Sequence, residues 1–225
     1  PKTMPNPAQA VSLPKRKKSE LRRHDPAPTE LATYAQALDN VIRGPVLRLQ
    51  LLTMTRINEA AGARWAEIDL DHGQWKIPAN RMKAKEDHLV LLSPQALDLL
   101  RAIKAEQNAA GIQTEYVFPA PRARGQKPIN TKAAQDDVQL LRNTLDLHPD
   151  FTSHSLRHAG ITWLGENLCP DAVQRRMTAH SQGSDAHAGY QHAKYNQPAK
   201  EWWQRWADHL DTLTQPNVVP LDRRA

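Results

Sequence analysis

The chain has 225 residues, enough to bury a sizeable core as one domain of ordinary size or as two small ones. Its single cysteine, Cys169, excludes a disulfide framework and a cysteine-rich zinc site within one chain, so a reducing cytoplasm is the expected location. No apolar run approaches the length of a membrane span, and the basic beginning lacks the hydrophobic segment of a signal peptide. The composition therefore predicts a soluble intracellular protein.

The formal net charge of +6 is concentrated at the beginning of the chain. Residues 1–25 carry seven Lys or Arg residues against two acids, a balance of +5. The stretch Pro14-Lys15-Arg16-Lys17-Lys18 cannot bury enough apolar surface to fold alone, so we predict that residues 1–27 form a basic, proline-rich interdomain linker. The linker is either a solvated tail or a strap that follows DNA phosphates, and we favour the strap.

Apolar periodicity predicts helices at the start of the remaining chain. The first begins at Thr29, and a second apolar run covers residues 46–52 after Gly44-Pro45. Arg56 falls where this second helix ends, and a short helix near residues 57–63 follows.

A small antiparallel sheet is predicted next. Residues 65–70 and 74–77 flank the turn Asp71-His72-Gly73, and residues 88–92 supply a third strand. The connection between the second and third strands carries Lys83 and Lys85.

The rest of the chain is mostly helical. Ser93-Pro94 is a good helix start, and the helix continues until Gly111. Residues 116–119 resemble a short buried strand or extended segment, and residues 122–128 an exposed basic loop. Further helices are predicted at residues 132–141, 154–166, 171–177 and 198–213. The predicted fold class is α+β, mainly α-helical, with one small three-stranded antiparallel sheet.

Six side chains stand out for the chemistry that they could perform together: Arg56, Lys83, His154, Arg157, His180 and Tyr190. Three cations, two imidazoles and one phenol can neutralise a phosphorane and move its protons without a metal ion. His154 and Arg157 are three residues apart, which puts both on one helix face. The small and polar residues 181–188 are predicted to be a mobile tether for Tyr190.

The order Arg, Lys, His-x-x-Arg, His, Tyr resembles the tyrosine recombinases, the phage-integrase family. The resemblance covers nearly the whole chain from about Pro28. It extends to segments around the six residues, namely residues 55–60, 65–70, 82–83, 88–93, 188–192 and 202–207. Thr178-Ala179 departs from the Leu-Gly that usually precedes the last histidine of the family.

The resemblance implies a site-specific recombinase, an integrase that inserts or excises a mobile element such as a prophage. It implies that Arg56 and Arg157 clamp the scissile phosphate and that Lys83 protonates the departing 5′ oxygen. His154 would act as a base or bind a phosphoryl oxygen, and His180 would bind the phosphate from the opposite side. Tyr190 would attack phosphorus to make a 3′-phosphotyrosine, the chemistry of type IB topoisomerases.

The same resemblance implies the partners of the chain. These are double-stranded DNA at attachment sites, further copies of the chain in a tetramer on DNA, and accessory DNA-bending or excision factors. It implies no cofactor, no metal and no membrane, and a cytoplasmic, nucleoid-associated protein encoded by a bacterium or phage.

Residues 28–225 are expected to form the catalytic domain, which includes the helix at 198–213. Family members carry arm-binding and core-binding segments before this domain. Because Asn6-Pro7-Ala8 looks like the end of a core-binding domain, we expect the chain to be a fragment.

Two positions keep a rival within the predicted site. Lys85 competes with Lys83, because register in short hairpins is easily misjudged by two residues. Tyr195 competes with Tyr190, which we favour for its Tyr-x-His arrangement and its spacing from His180. His158 is expected to be a structural residue.

Two other functions remain open. One is a non-catalytic DNA-binding module of the same fold, against which the complete set of six residues argues. The other is a metal-dependent hydrolase, since His154 and His158 have metal-ligand spacing and His180, His187 and His192 are near in sequence. That hydrolase lacks the Glu of His-Glu-x-x-His, and Cys169 as a catalytic thiol is weaker still.

The terminal helix carries an apolar stripe of Trp202, Trp203, Trp206 and Leu210 at helical spacing. The stripe either packs on its own domain or docks on a neighbouring subunit. The spacing alone leaves both interpretations open.

Overall fold

A computed structural model describes residues 24–123, 125–179 and 195–215 of the chain. Within these ranges the helices are α1 (Pro28–Ala37), α2 (Gly44–Thr53), α3 (Ile57–Ala61), α4 (Pro94–Ala109), α5 (Thr131–Thr144), α6 (Ser153–Glu166), α7 (Asp171–Thr178) and α8 (Asn196–Thr214). The strands are β1 (Ile68–Asp69), β2 (Gln74–Ile77) and β3 (His88–Leu91). They form one antiparallel sheet in the order β1-β2-β3, which confirms the predicted fold class.

The strand predicted at residues 65–70 is shorter than expected, because β1 covers only Ile68–Asp69. Residues 65–67 form a 3-10 turn before β1, because the Glu67 carboxylate accepts hydrogen bonds from the Arg64 amide at 3.3 Å and from Trp75 Nε1 at 3.1 Å. The segment at 116–119 makes only isolated bridges, between Tyr116 and Arg64 and between Pro119 and Pro128. It is extended, as predicted, without becoming a strand.

Side-chain caps set where α4 and α6 begin. Ser93 accepts a hydrogen bond from the Ala96 amide at 3.3 Å, and Pro94 occupies the first turn of α4, as the sequence predicts. Thr152 accepts from the His154 amide at 3.3 Å, so α6 begins at Ser153, one residue earlier than predicted. His154 therefore lies in the first turn of α6.

The sheet follows the alternation of its strands. In β2, Trp75 and Ile77 are fully buried while Gln74 and Lys76 are exposed. Trp75 pairs with Val90 of β3, and Ile77 pairs with His88. This register makes residues 78–87 the connection between β2 and β3 and places Lys83 within it.

The tryptophan stripe of α8 packs on its own domain. Trp203 and Trp206 are buried, at 1% and 0% exposed, and both hold backbone carbonyls of α2. Trp203 Nε1 donates to the Thr53 oxygen at 3.3 Å, and Trp206 Nε1 donates to the Leu51 oxygen at 2.8 Å. Since these groups are core, docking of the stripe on a neighbouring subunit is the wrong interpretation.

The structure also bears on a membrane-spanning helix and on a catalytic thiol. No helix among the described residues is both long and apolar enough to cross a membrane. Cys169 is buried, and this burial raises the pKa of its thiol to about 12, which makes a thiolate nucleophile unfavourable.

The division into a linker at 1–27 and a domain at 28–225 stays a prediction. Residues 1–23 of the linker lie outside the part of the chain that the structure describes.

Candidate active site

Arg56 lies at the junction of α2 and α3. α2 ends at Thr53, Met54 adopts a left-handed conformation with φ 55°, and Arg56 is the residue before α3. Its Nη1 donates to Glu59 Oε1 at 2.9 Å, and its amide donates to Glu59 Oε2 at 2.7 Å. The buried Glu59 carboxylate therefore holds both the backbone and the side chain of Arg56.

Arg157 occupies the centre of the site. It is 2% exposed, on the buried face of α6. Nη1 donates to the Met54 carbonyl oxygen at 2.5 Å, and Nη2 donates to the carbonyl oxygen of Thr178. One guanidinium thus connects α6 with the end of α2, two residues before Arg56, and with the end of α7, two residues before His180.

The electrostatics of Arg157 show that the two arginines are neighbours. Burial and, to a smaller extent, the positive charge of Arg56 lower the pKa of Arg157 to about 10, although the charge of Glu59 acts in the opposite direction. The guanidinium stays charged at neutral pH. Tertiary contacts therefore bring together two cations that are a hundred residues apart in the sequence.

His154 is on the same helix as Arg157 but is exposed. Its ring stands at 84° to that of His158, with centroids 4.5 Å apart, and His158 is partly buried. Outside the ranges that the structure leaves undescribed, no group of three or more His, Cys, Asp or Glu side chains is placed to hold a metal ion. The two histidines therefore lack the third ligand that a metal hydrolase would need among these residues.

Lys83 and Lys85 lie in one exposed turn between β2 and β3. The Lys85 amide donates to the Met82 oxygen at 3.2 Å, and Lys85 has φ 60°. Arg81, near the start of this connection, donates from Nη2 to the backbone carbonyl oxygen of Glu59 at 2.6 Å. It also forms an ion pair with the Glu67 carboxylate. These contacts dock the base of the hairpin on α3, close to Arg56.

His180 and Tyr190 lie outside the described residues, so their predicted roles stay predictions. The chain before them ends in Ala179, which has the left-handed φ of 48° that favours glycine. This is the position at which the sequence departs from the Leu-Gly of the family. After them, Tyr195 precedes α8, packs partly against the core, and accepts from the Ala199 amide through its carbonyl at 2.9 Å.

Sequence reasoning missed three charged residues, Glu59, Arg81 and Arg176, whose side chains bind the segments that carry the candidate residues. Glu59 had a signal, since it stands three residues after Arg56 in a capping-box position. Arg81 and Arg176 had none, because an arginine on a helix or loop is usually exposed. Their partners come from distant parts of the chain.

The fold is shared with solved tyrosine recombinases. The XerA recombinase superposes with a TM-score of 0.56 at 16% identity, over 83% of this chain and 66% of that one. A lambda integrase fragment (75–356), in a dimer bound to a COC' core site, gives 0.55 at 19% identity, over 74% of this chain and 61% of that one. The described residues thus have the tyrosine-recombinase catalytic-domain fold.

The sequence leads to the same class. The prophage integrase IntA of Escherichia coli (strain K12) is 31% identical over 95% of this chain and 50% of its own length. The integrase of Enterobacteria phage P4 is 30% identical over 84% of this chain and 46% of its own length. The profile of the phage integrase family matches residues 26–197, so the chain belongs to that family. It spans about half the length of these relatives.

Proposed function

We propose that the chain is the catalytic part of a site-specific DNA recombinase that cuts and rejoins strands through a 3′-phosphotyrosine. The observation that carries the proposal is the buried Arg157, which donates to the backbone carbonyls of Met54, two residues before Arg56, and of Thr178, two residues before His180 in the sequence. An isolated surface arginine would not be held in this way. The match to the phage integrase family supports the same conclusion.

The two arginines are suited to bind a phosphate. A guanidinium has five N–H donors, and among the described residues Arg157 uses two of them on backbone carbonyls, which leaves the others available for phosphate oxygens. Glu59 fixes Arg56 and offsets part of the positive charge of the pair. The site is therefore preorganised for the negative charge that develops on the phosphorane.

In the proposed reaction, the Tyr190 oxygen forms a bond to phosphorus and the bond from phosphorus to the 5′ oxygen breaks. The phenolic proton passes to His154 or to solvent, and Lys83 gives a proton to the leaving 5′ oxygen. His180 binds a non-bridging oxygen. Rejoining reverses the sequence with another 5′ hydroxyl, so no nucleotide and no redox partner is consumed.

Double-stranded DNA is the proposed partner. Several solved structures with this fold are DNA complexes, among them the XerH recombinase bound to its difH substrate. Their likeness to this chain supports DNA binding, and we add to the proposal a cytoplasmic, nucleoid-associated location. We include in the proposal a tetramer of the chain on DNA and accessory bending or excision factors.

The nucleophile is tested with a nicked suicide substrate that traps the covalent intermediate. We expect the wild-type chain and Tyr195→Phe to form the adduct, and Tyr190→Phe to bind DNA without forming it. An adduct that persists in Tyr190→Phe and disappears in Tyr195→Phe would reassign the nucleophile. A wild type that binds DNA and never forms an adduct would favour a non-catalytic module.

The leaving-group role is tested with a 5′-bridging phosphorothiolate, which leaves without a proton. Lys83→Ala should slow cleavage of the ordinary substrate far more than of the sulfur substrate. Lys85→Ala is the matched control from the same exposed turn, and the reverse pattern would move the role to Lys85.

A third test concerns metal ions. We expect cleavage to continue in excess chelator, because Arg56, Lys83 and Arg157 supply the positive charge. Loss of cleavage on chelation, with recovery on adding zinc, would favour the hydrolase that His154 and His158 suggested.

A further inference from the structure

A buried arginine that is not among the six predicted site residues lies in α7. Arg176 is 8% exposed, and burial lowers the pKa of its guanidinium. Among the described residues, no carboxylate forms an ion pair with it. A guanidinium in such a place costs free energy unless its N–H groups have good acceptors, so its contacts need an explanation.

The acceptors are two neutral side chains from distant parts of the chain. Arg176 donates from Nε and Nη2 to Asn196 Oδ1, at 3.1 Å and 3.0 Å. Its Nη1 lies 3.4 Å from Nδ1 of His88, which is 3% exposed. Because a guanidinium only donates, Nδ1 of His88 is the acceptor.

Each of the three residues lies within six positions of a candidate catalytic residue in the sequence. Arg176 is four residues before His180, and Asn196, the first residue of α8, is six residues after Tyr190. His88 is the first residue of β3, five residues after Lys83. One buried contact therefore joins the chain on both sides of the segment that bears His180 and Tyr190 to the hairpin that bears Lys83.

We propose that Arg176 is a positioning residue, which fixes, through Asn196 and His88, the start of α8 relative to α7 and to the hairpin of Lys83. The inference rests on the proposed function, since it concerns the placement of Tyr190 and Lys83 around one phosphate. Displacing a reacting group by about 1 Å can cost about a hundredfold in rate, so an anchor at these points affects chemistry more than DNA binding.

The network also explains why an arginine is needed at this position. The planar fork reaches the Asn196 oxygen with two N–H groups while a third points to His88. A lysine is a point charge and could not hold both acceptors in fixed directions. A purely apolar residue would leave the Asn196 oxygen without these donors.

The test uses the full chain with the nicked suicide substrate at saturating DNA, below the melting temperature of every variant. The variants are Arg176→Met, Asn196→Ala, their combination, and Asn196→Asp, which keeps acceptor oxygens at that position. Arg175→Met is the matched control, because this substitution removes the same charge from the exposed side of α7. DNA affinity and melting temperature are measured beside the rate of adduct formation.

We expect Arg176→Met and Asn196→Ala each to slow adduct formation by up to about a hundredfold without weakening DNA binding. The double variant should be no slower than the slower single variant, because both substitutions remove the same interaction. Asn196→Asp should recover most of the rate, and Arg175→Met should resemble the wild type.

A wild-type rate in Arg176→Met, or single effects that multiply in the double variant, would overturn the inference. If Arg176→Met does not fold, Asn196→Ala and Asn196→Asp decide, and equal slowing in both would also overturn it. Failure of the proposed function looks different: the wild type itself would then form no adduct.

Discussion

Arg157 places a charged guanidinium in the interior of the protein, where burial lowers its pKa. Below its folded pKa of about 10 the guanidinium is charged, and burial disfavours that form relative to the unfolded chain. The contribution of this group to stability therefore rises only between about pH 10 and its ordinary pKa of 12.5, and it does not change with pH around neutrality. Two backbone carbonyls and the nearby Glu59 offset that cost and fix the direction of the side chain, as the proposed phosphate contact requires.

Glu59 gives the first prediction at this scale. Glu59→Gln removes the only charge shown to oppose those of Arg56 and Arg157 among the described residues. Because Glu59 is 3% exposed and Arg56 is partly exposed, we expect a loss of about 2–3 kcal/mol in the free energy of unfolding, together with slower adduct formation. Urea denaturation measures the loss.

Glu115→Gln is the control for Glu59. Glu115 pairs with Arg64 at the surface, where an ion pair contributes less than about 1 kcal/mol. Equal destabilisation by the two substitutions would show that Glu59 has no special role in balancing the arginines.

Ala179 gives the second prediction. Its φ of 48° disfavours any residue with a Cβ, so Ala179→Gly should relieve strain at the end of α7. We expect a gain of about 0.5–1 kcal/mol, which raises the melting temperature by about 1–4 °C for a chain of this size. Ala172→Gly, inside α7, should instead lower the melting temperature. A lower melting temperature in Ala179→Gly would mean that the methyl group packs more than it strains.

At the scale of elements, α2 and α8 are one structural unit. The carbonyls of Leu51 and Thr53 near the end of α2 accept hydrogen bonds from the two buried tryptophans of α8. The residues that follow, Met54 and Arg56, belong to the site. α8 therefore supports the backbone that carries the first arginine, although it enters the sequence 140 residues later.

This support leads to the third prediction. Trp206→Ala removes a fully buried ring and its bond to Leu51, so we expect a loss of about 3–5 kcal/mol in unfolding free energy. Trp202→Ala should cost clearly less, because Trp202 is only partly buried beside Trp163 and Arg205. Thermal denaturation compares the two variants. Equal losses would mean that the partly buried ring matters as much to the core.

Deleting the residues after Gln197 tests whether the domain folds without α8. The deletion removes nearly all of α8 and exposes the core under it, so the shortened chain should lose its cooperative unfolding transition. A folded, DNA-binding chain after this deletion would restore the assembly role that the structure argues against.

At the scale of the whole molecule, charge is divided between two regions. Most of the net charge of +6 belongs to residues 1–25, while the candidate site has one buried arginine, Arg157, and one partly exposed arginine, Arg56, with the buried carboxylate of Glu59 beside them. Long-range attraction to DNA is therefore expected from the basic linker. We expect the candidate site to contribute only short-range attraction, to a phosphate that is already close.

The fourth prediction separates these two regions. Replacing Lys15, Arg16, Lys17 and Lys18 with Gln should weaken DNA binding and flatten its salt dependence, by about 0.9 in the log–log slope for each phosphate that the linker no longer neutralises. The cleavage rate at saturating DNA should not change. An unaltered slope would mean that the linker is a solvated tail.

The order of the elements and the chemistry of the candidate residues can be read from the amino-acid sequence alone. Periodicities of two and 3.6 depend on neighbours along the chain, so β2, β3, α4 and α6 could be located within a few residues. The i,i+3 spacing of His154 and Arg157 is equally local. The kinship with the phage integrase family was also readable, because it depends on the order of residue types.

Which of these residues are buried, and which groups they contact, depends on the packing of distant elements. His154 and Arg157 belong to one helix, yet His154 is exposed to solvent and Arg157 is buried. Burial depends on what packs over a residue, and the partners of Arg157 and Arg176 lie up to about a hundred residues away. The tryptophan stripe of α8 is decided in the same way: its spacing predicts an apolar face, and only the position of α2 shows that its own domain covers that face.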